Sequence, residues 1–287
     1  MASRPAPAPA VQGAGATFPA PLYQRWFTHL LVREGLLIGY EAIGSGEGED
    51  QLDQGLVDFA GSDRSAFNGT QTSLTTGRWL RIPMVAGAIA VAYNNPDCHL
   101  RLSRDQLRQV FAGQIKTFKA LGCADRPIRL VVRSGRSGTT ANLRHYLGST
   151  QEVWHDRVAQ RVNSNEEMAT ALMQQPGSLG YLETVFLYGR GRLQTAALEG
   201  PQGQFLRPEP ALVRRALNRQ GDGYPLSVVT ELLMPRVGLG PKAEVLRAAI
   251  SYGLSKEGQA EAQGLGYEPL PEGLLQRSMT QLKELKP

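Results

Sequence analysis

Apolar residues gather in short blocks along the chain, and the blocks alternate between two spacings. Leu22, Tyr23, Trp26, Phe27, Leu30 and Leu31 recur three or four positions apart, which predicts a helix, and Gly35 supplies its stop. Residues 36–43 form a short continuous run that reads as a strand. The loop Gly44-Ser45-Gly46 follows, then a polar helix through Asp50, Leu52 and Leu56, then a strand over 57–61 that ends at Ser62-Asp63. The longest apolar run, 82–93, is too short to span a bilayer but long enough to leave one lobe and enter another. Ser103 opens a helix carrying Leu107, Val110 and Phe111 on one face, and Gly113 ends it. A strand over 128–132 leads into Arg133-Ser134-Gly135-Arg136-Ser137-Gly138-Thr139 and a helix with Leu143, Tyr146 and Leu147. A helix over 166–174, a strand over 178–182 and a second long apolar strand over 226–233 come next. The tail is helical, with Val245, Leu246, Ala249 and Ile250 on one face.

This alternation predicts βα units and a mainly parallel sheet. The two long apolar strands suggest a chain that crosses twice between lobes, so that one lobe takes both chain ends and the other takes the middle. There is no internal repeat. A length of 287 residues suits two lobes, and 32 glycines with 18 prolines fit many turns rather than a helical bundle.

Charge changes the picture little. The formal net charge of +5 is a mild excess that favours anions weakly. The basic residues are spread along the chain rather than gathered in a stripe with aromatics, which argues against nucleic acid as a partner. The opening MASRPAPAPAVQ has no apolar core and reads as an extended Pro/Ala-rich leader. Two readings of it stay open: a cytoplasmic protein, or an exported one whose signal is replaced by an initiating Met. Cys98 and Cys123 have no CxxC spacing and no histidine cluster beside them, so a metal site is not expected. A disulfide and a pair of small buried thiols both remain open. His29, His99, His145 and His155 are scattered and form neither a Ser-His-Asp order nor a metal spacing.

Chemistry concentrates in three loops of one design, in which a strand ends, Gly, Ser and Thr follow, and a helix begins. They are Gly13-Ala14-Gly15-Ala16-Thr17-Phe18, Ile43-Gly44-Ser45-Gly46, and 133–139. Such a loop presents backbone N–H groups and hydroxyls at a helix N-terminus, where free donors and the helix dipole favour an anion. One loop alone is an ordinary helix cap. Three, one of them carrying Arg133, point to a site for a polyoxyanion.

The stretches GAGATFPAPLYQRW, YEAIGSGEGEDQL, VDFAGSD, RSGRSGTT and SLGYLE resemble, in this order, the signatures of the periplasmic phosphate-binding proteins of Pst-type ABC importers. The resemblance runs from about Gly13 to the C-terminal helices. It implies an α/β, two-lobed periplasmic-binding-protein fold of type II, with mixed, mainly parallel sheets joined by a two-strand hinge. The expected division is a leader over 1–12, lobe I over 13–88 plus 229–287, and lobe II over 89–228. The hinge is expected at 88–93 and 227–231. The implied function is capture of inorganic phosphate in the cleft and delivery to a membrane permease of an ABC importer, with no cofactor and no catalysis, by a monomer in the periplasm or at the cell surface. A phosphate sensor or scavenger, and a phosphomonoester hydrolase using the same cradle, are the alternatives.

The resemblance also implies roles for residues. Thr17 and Phe18 would offer N–H donors and Thr17 its hydroxyl; Ser45 would offer hydroxyl and N–H; Arg133 would make a forked contact to the anion. Ser137, Gly138 and Thr139 would be the densest donor group. Asp63 would be the one acceptor. Phosphate near neutral pH keeps a proton to donate to a carboxylate, whereas sulfate has none, so Asp63 would reject sulfate. One departure stands out. The family shows Arg-Ser-Asp-Gly-Ser-Gly-Thr where this chain has Gly135 and Arg136, which makes the loop more positive by two charges. Arg136 is open to three readings: contact with the ligand, exposure to solvent, or pairing with an acidic neighbour.

Overall fold

A computed structural model describes residues 9–65, 68–70, 74, 77–149 and 158–287. His155 lies outside them. In chain order the first elements are β1 (Val11–Gly15), α1 (Ala20–Glu34), β2 (Ile38–Ala42), α2 (Ser45–Asp53), β3 (Phe59–Ser62), β4 (Trp79–Tyr93), β5 (Arg101–Leu102) and α3 (Arg104–Phe111). The middle of the chain gives β6 (Arg129–Arg133), α4 (Gly138–Tyr146), β7 (Gln160–Val162), α5 (Asn165–Gln174), β8 (Ser178–Glu183), β9 (Gln194–Thr195), β10 (Ala197–Glu199), β11 (Phe205–Leu206) and α6 (Pro210–Leu217). The chain ends with β12 (Ser227–Pro235), α7 (Lys242–Leu254), α8 (Lys256–Gly264) and α9 (Glu272–Leu282).

Among the described residues, eight strands run in the order β2-β1-β3-β12-β4-β8-β6-β7, with β9 also on β4, and β11-β10-β5 form a small separate sheet. Parallel pairs lie on both flanks of the main sheet (β1 with β2 and β3; β6 with β7 and β8), and its centre is antiparallel. The two long apolar runs are neighbours there. β12 pairs with β4 from Ser227 opposite Ala88 to Pro235 opposite Trp79. At Ile89 the partner changes: residues 89–93 of β4 pair with β8, starting with Ile89 opposite Glu183. Residues 80 and 82–93 of β4 are buried, which is why the run shows no alternation.

Local chemistry sets the ends of the elements. Gly35 closes α1 in a left-handed conformation, with φ of 70°. Ser103 caps α3 in a capping box with Gln106. Leu31, expected on the buried face of α1, is 47% exposed, because Leu22, Tyr23, Trp26, Phe27 and Leu30 already fill that face. α2 starts at Ser45 itself and stops at Asp53, short of the expected Leu56, since Gly55 turns left-handed and Leu56 swings out to solvent. β1 starts inside the stretch expected as a leader: Val11 is buried and pairs with Ile38, and Gln12 pairs with Gly39. Cys98 and Cys123 form a disulfide, with Cα atoms 5.5 Å apart, so the thiol reading is set aside.

Candidate anion-binding site

The loops leaving β1, β3 and β6 meet at one region, where α2 and α4 begin. Gly44 donates its N–H to the Gly15 carbonyl at 2.8 Å, and Ala16 donates to the Gly61 carbonyl at 2.8 Å, so the second loop is tied to the end of β1 and the first to β3. α4 begins at Gly138 with Ser137 as its cap, the Ser137 hydroxyl accepting the Thr140 N–H at 3.3 Å. The first N–H groups of α2 and α4 have no partner within their own helices. The two helix starts touch: a Cβ on Gly138 would strike the Ser45 hydroxyl and lie 2.8 Å from the Asp63 Cβ. Glycine is required there because two chain segments meet across it.

Asp63 is fully buried and held on several sides. Its backbone N–H donates to the Ser45 hydroxyl at 3.2 Å, and its carbonyl accepts from Asn142 at 2.8 Å and from Asn68 at 2.7 Å. Its Oδ1 accepts the Thr230 hydroxyl, from the centre of β12, at 2.5 Å. Burial pushes the Asp63 carboxyl up to about 6; the Thr230 bond and Arg133 pull it down, and Glu49 pushes it up. Thr230 therefore helps keep Asp63 an acceptor at neutral pH.

Arg133 ends β6 and is also buried. Its Nη2 donates to the Asn163 carbonyl at 2.7 Å, its Nη1 reaches the Thr139 hydroxyl at 3.4 Å, and its Nε is buried without a partner. Thr139 in turn donates to Glu183 Oε1 at 2.9 Å, and Glu183 Oε2 is buried without a partner. Burial depresses Arg133 from its ordinary range, while Glu183, Tyr181 and Asp63 oppose that shift. An unpartnered guanidinium nitrogen this deep is expensive unless an acceptor completes it. An oxyanion meeting Arg133 Nε fits that need.

Thr17 joins the group from the first loop. Its hydroxyl accepts from the Asn165 side chain at 2.9 Å, at the start of α5. Phe18 packs beneath, its ring 5.1 Å from that of Tyr267, and its carbonyl accepts the Tyr267 hydroxyl at 2.8 Å. A cavity of about 660 Å³, lined by Gln24, Phe27, Tyr40, Ser164 and Glu166 among others, opens beyond Thr17 and touches none of the other seven candidates.

Of the eight residues singled out by sequence, Ser45, Asp63 and Gly138 are in direct contact, Arg133 and Thr139 are linked, and all eight are buried. Arg136 is not with them. It is half-exposed, ion-paired with Asp50 of α2, and bonded to the Gly46 carbonyl at 2.7 Å. Its own N–H donates to Glu47 Oε1 at 2.9 Å, and that carboxylate fills the space beside Gly135, whose φ is 61°. Pairing with an acidic neighbour is thus the reading that holds. Sequence reasoning passed over Glu183, Thr230, Asn142 and Asn165. Glu183 was within reach, as the last residue of SLGYLE; the others gave no local signal.

Residues 2–248 match the PBP superfamily domain. The chain belongs to the PBP superfamily. Among curated relatives of this superfamily member, the phosphate-binding protein PstS of Pasteurella multocida (strain Pm70) is 27% identical, over 95% of this chain and 90% of its own length. Alkaline phosphatase L of Pseudomonas aeruginosa (strain PAO1) is 34% identical, over 50% of this chain and 43% of its own. Among solved structures, a putative phosphate ABC transporter substrate-binding protein from Clostridium perfringens, with bound phosphate, superposes with a TM-score of 0.75 at 17% identity. That match covers 92% of this chain and 100% of the other. The PBP-superfamily chain has the two-lobed, type II α/β fold that its motifs implied, and its likeness to PstS-type proteins runs nearly end to end.

Proposed function

We propose that this protein captures inorganic phosphate in its interlobe cleft and delivers it to the membrane permease of an ABC importer. The observation that carries this reading is one buried cation, Arg133, within electrostatic reach of one buried acceptor, Asp63, where two helix N-termini converge. The cation and N–H groups serve the charged oxygens, and the carboxylate serves the one oxygen that still bears a proton. Thr17, Phe18, Ser45, Ser137, Gly138 and Thr139 supply the remaining donors. The names of its relatives agree with this reading.

Lobe I comprises 11–88, so that it holds the whole of β1, together with 229–287, and lobe II comprises 89–228. The change of partner along β4 between Ala88 and Ile89 supports that boundary, and the hinge lies there and at 227–231. The protein works outside the cytoplasm as a monomer, a setting in which the Cys98–Cys123 bond persists. Among the described residues no helix is long and apolar enough to cross a membrane. Retention of radiolabelled phosphate by protein first stripped of phosphate tests the proposal; no retention contradicts it.

The partial likeness to alkaline phosphatase L supports phosphomonoester hydrolysis as a second reading. Turnover of p-nitrophenyl phosphate that vanishes in Arg133→Ala would establish it over simple binding.

A further inference from the structure

Glu183 is the last residue of β8, stands opposite Ile89 where β4 changes partner, and is fully buried. One oxygen accepts the Thr139 hydroxyl; the other has no partner. Through that hydroxyl it is linked to Arg133, whose Nε is likewise buried and unpartnered. The cluster therefore holds two carboxyl groups and one guanidinium. With both carboxylates ionised its charge is negative before any anion arrives. A phosphate dianion would then enter a buried site carrying net negative charge, which a low-polarity interior resists strongly. A proton on Glu183 removes one of those charges and leaves Arg133 free to serve the ligand.

Resting on the phosphate reading above, we propose that Glu183 is a positioning residue that couples phosphate capture to proton uptake: it is a neutral acid in the loaded cleft, and binding reprotonates it whenever it is ionised in the empty one. The groups facing it are consistent with this. Arg133 from β6 and the Thr139 hydroxyl from α4 favour its charged form, and Asp63 opposes it. Tyr267, after α8, and Tyr181, on β8 itself, are both pushed above the ordinary tyrosine range by burial and stay neutral. Glu167 of α5 acts on Arg133. Burial raises Glu183 to about 8, with Asp63 adding to the shift. A bound dianion acts in the same direction as Asp63, so the loaded form holds the proton more tightly. Affinity is then insensitive to Glu183 well below pH 8 and falls as pH rises above it.

The window from pH 8 to 9.5 isolates the effect, because phosphate remains a dianion throughout and Asp63 remains ionised. Calorimetric titration with phosphate at pH 9, in two buffers of different ionisation enthalpy, should show uptake of close to one proton. Between pH 8 and 9.5 the Kd should rise roughly tenfold. In Glu183→Gln, a neutral side chain of the same shape, both the uptake and the slope should disappear. A wild-type Kd that is flat across this window overturns the proposal, as does a Gln variant that keeps the wild-type proton count. Wild-type protein that binds no phosphate at any pH overturns the functional reading itself, a separate outcome.

Discussion

Arg133 and Arg136 stand three residues apart in one loop and end in different physical situations. Arg133 is withdrawn from water into a cluster with Asp63, Thr139 and Glu183, and its Nε still lacks a partner. Arg136 is half-exposed and reaches across to Asp50 and Gly46 of α2. An exposed ion pair of that kind contributes about 0–1 kcal/mol. Removing one member of a buried charge pair costs about 2–5 kcal/mol. The two arginines of this loop, Arg133 shared with the family and Arg136 peculiar to this chain, are therefore not equivalent. The site sees Arg133, whereas Arg136 is neutralised by Asp50, and the Glu47 carboxylate stands where a side chain at position 135 would lie.

Substitutions can break this contrast. The largest effect is expected from Arg133→Ala, which should weaken phosphate binding upward of about thirtyfold by calorimetry. Gly138→Ala comes next. Its Cβ would strike the Ser45 hydroxyl, and overpacking of about 1–3 kcal/mol should fall on the closed form, reducing affinity while the fold survives. Asp63→Asn should change selectivity more than affinity, bringing sulfate close to phosphate at pH 8. In the wild type the same loss of discrimination should develop as pH falls through about 6, where Asp63 takes up a proton and can donate to sulfate. Because the folded protein holds that proton more tightly than an unfolded chain, an ionised Asp63 also lowers stability as pH rises. Phosphate-free Asp63→Asn should thus melt at a higher temperature than wild type at pH 8, which calorimetric unfolding checks. The smallest effect belongs to Arg136→Ala, whose phosphate Kd should move by no more than about fivefold.

The elements that could be read from sequence are those whose signals are local. The heptad-like face of α1 with Gly35, the Ser103 box of α3 and the unbroken apolar runs of β4 and β12 each carry their reason within a few residues. β1 could not be read that way, since VQGAG has no alternation and its glycines answer to distant neighbours. A Cβ on Gly13 would enter the Phe59 ring, and one on Gly15 would strike the Gly61 carbonyl. The two-residue strands β5, β9 and β11 exist only through their pairings. The same division runs through the site. Glycine- and hydroxyl-rich helix starts announce donors, which is why Ser45, Ser137, Gly138 and Thr139 stand out. Thr230 lies within an apolar strand, and its meaning comes only from the packing that sets it against Asp63. Glu183 ends the SLGYLE stretch and shows its role only once Thr139 meets it.

The central claim is that one buried cation and one buried acceptor select an anion that carries a proton. Calorimetric titration of phosphate-stripped protein at pH 8, with phosphate and separately with sulfate, tests it most directly. The account predicts tight binding of phosphate and little response to sulfate. Equal binding of both ions, or binding of sulfate alone, would contradict it.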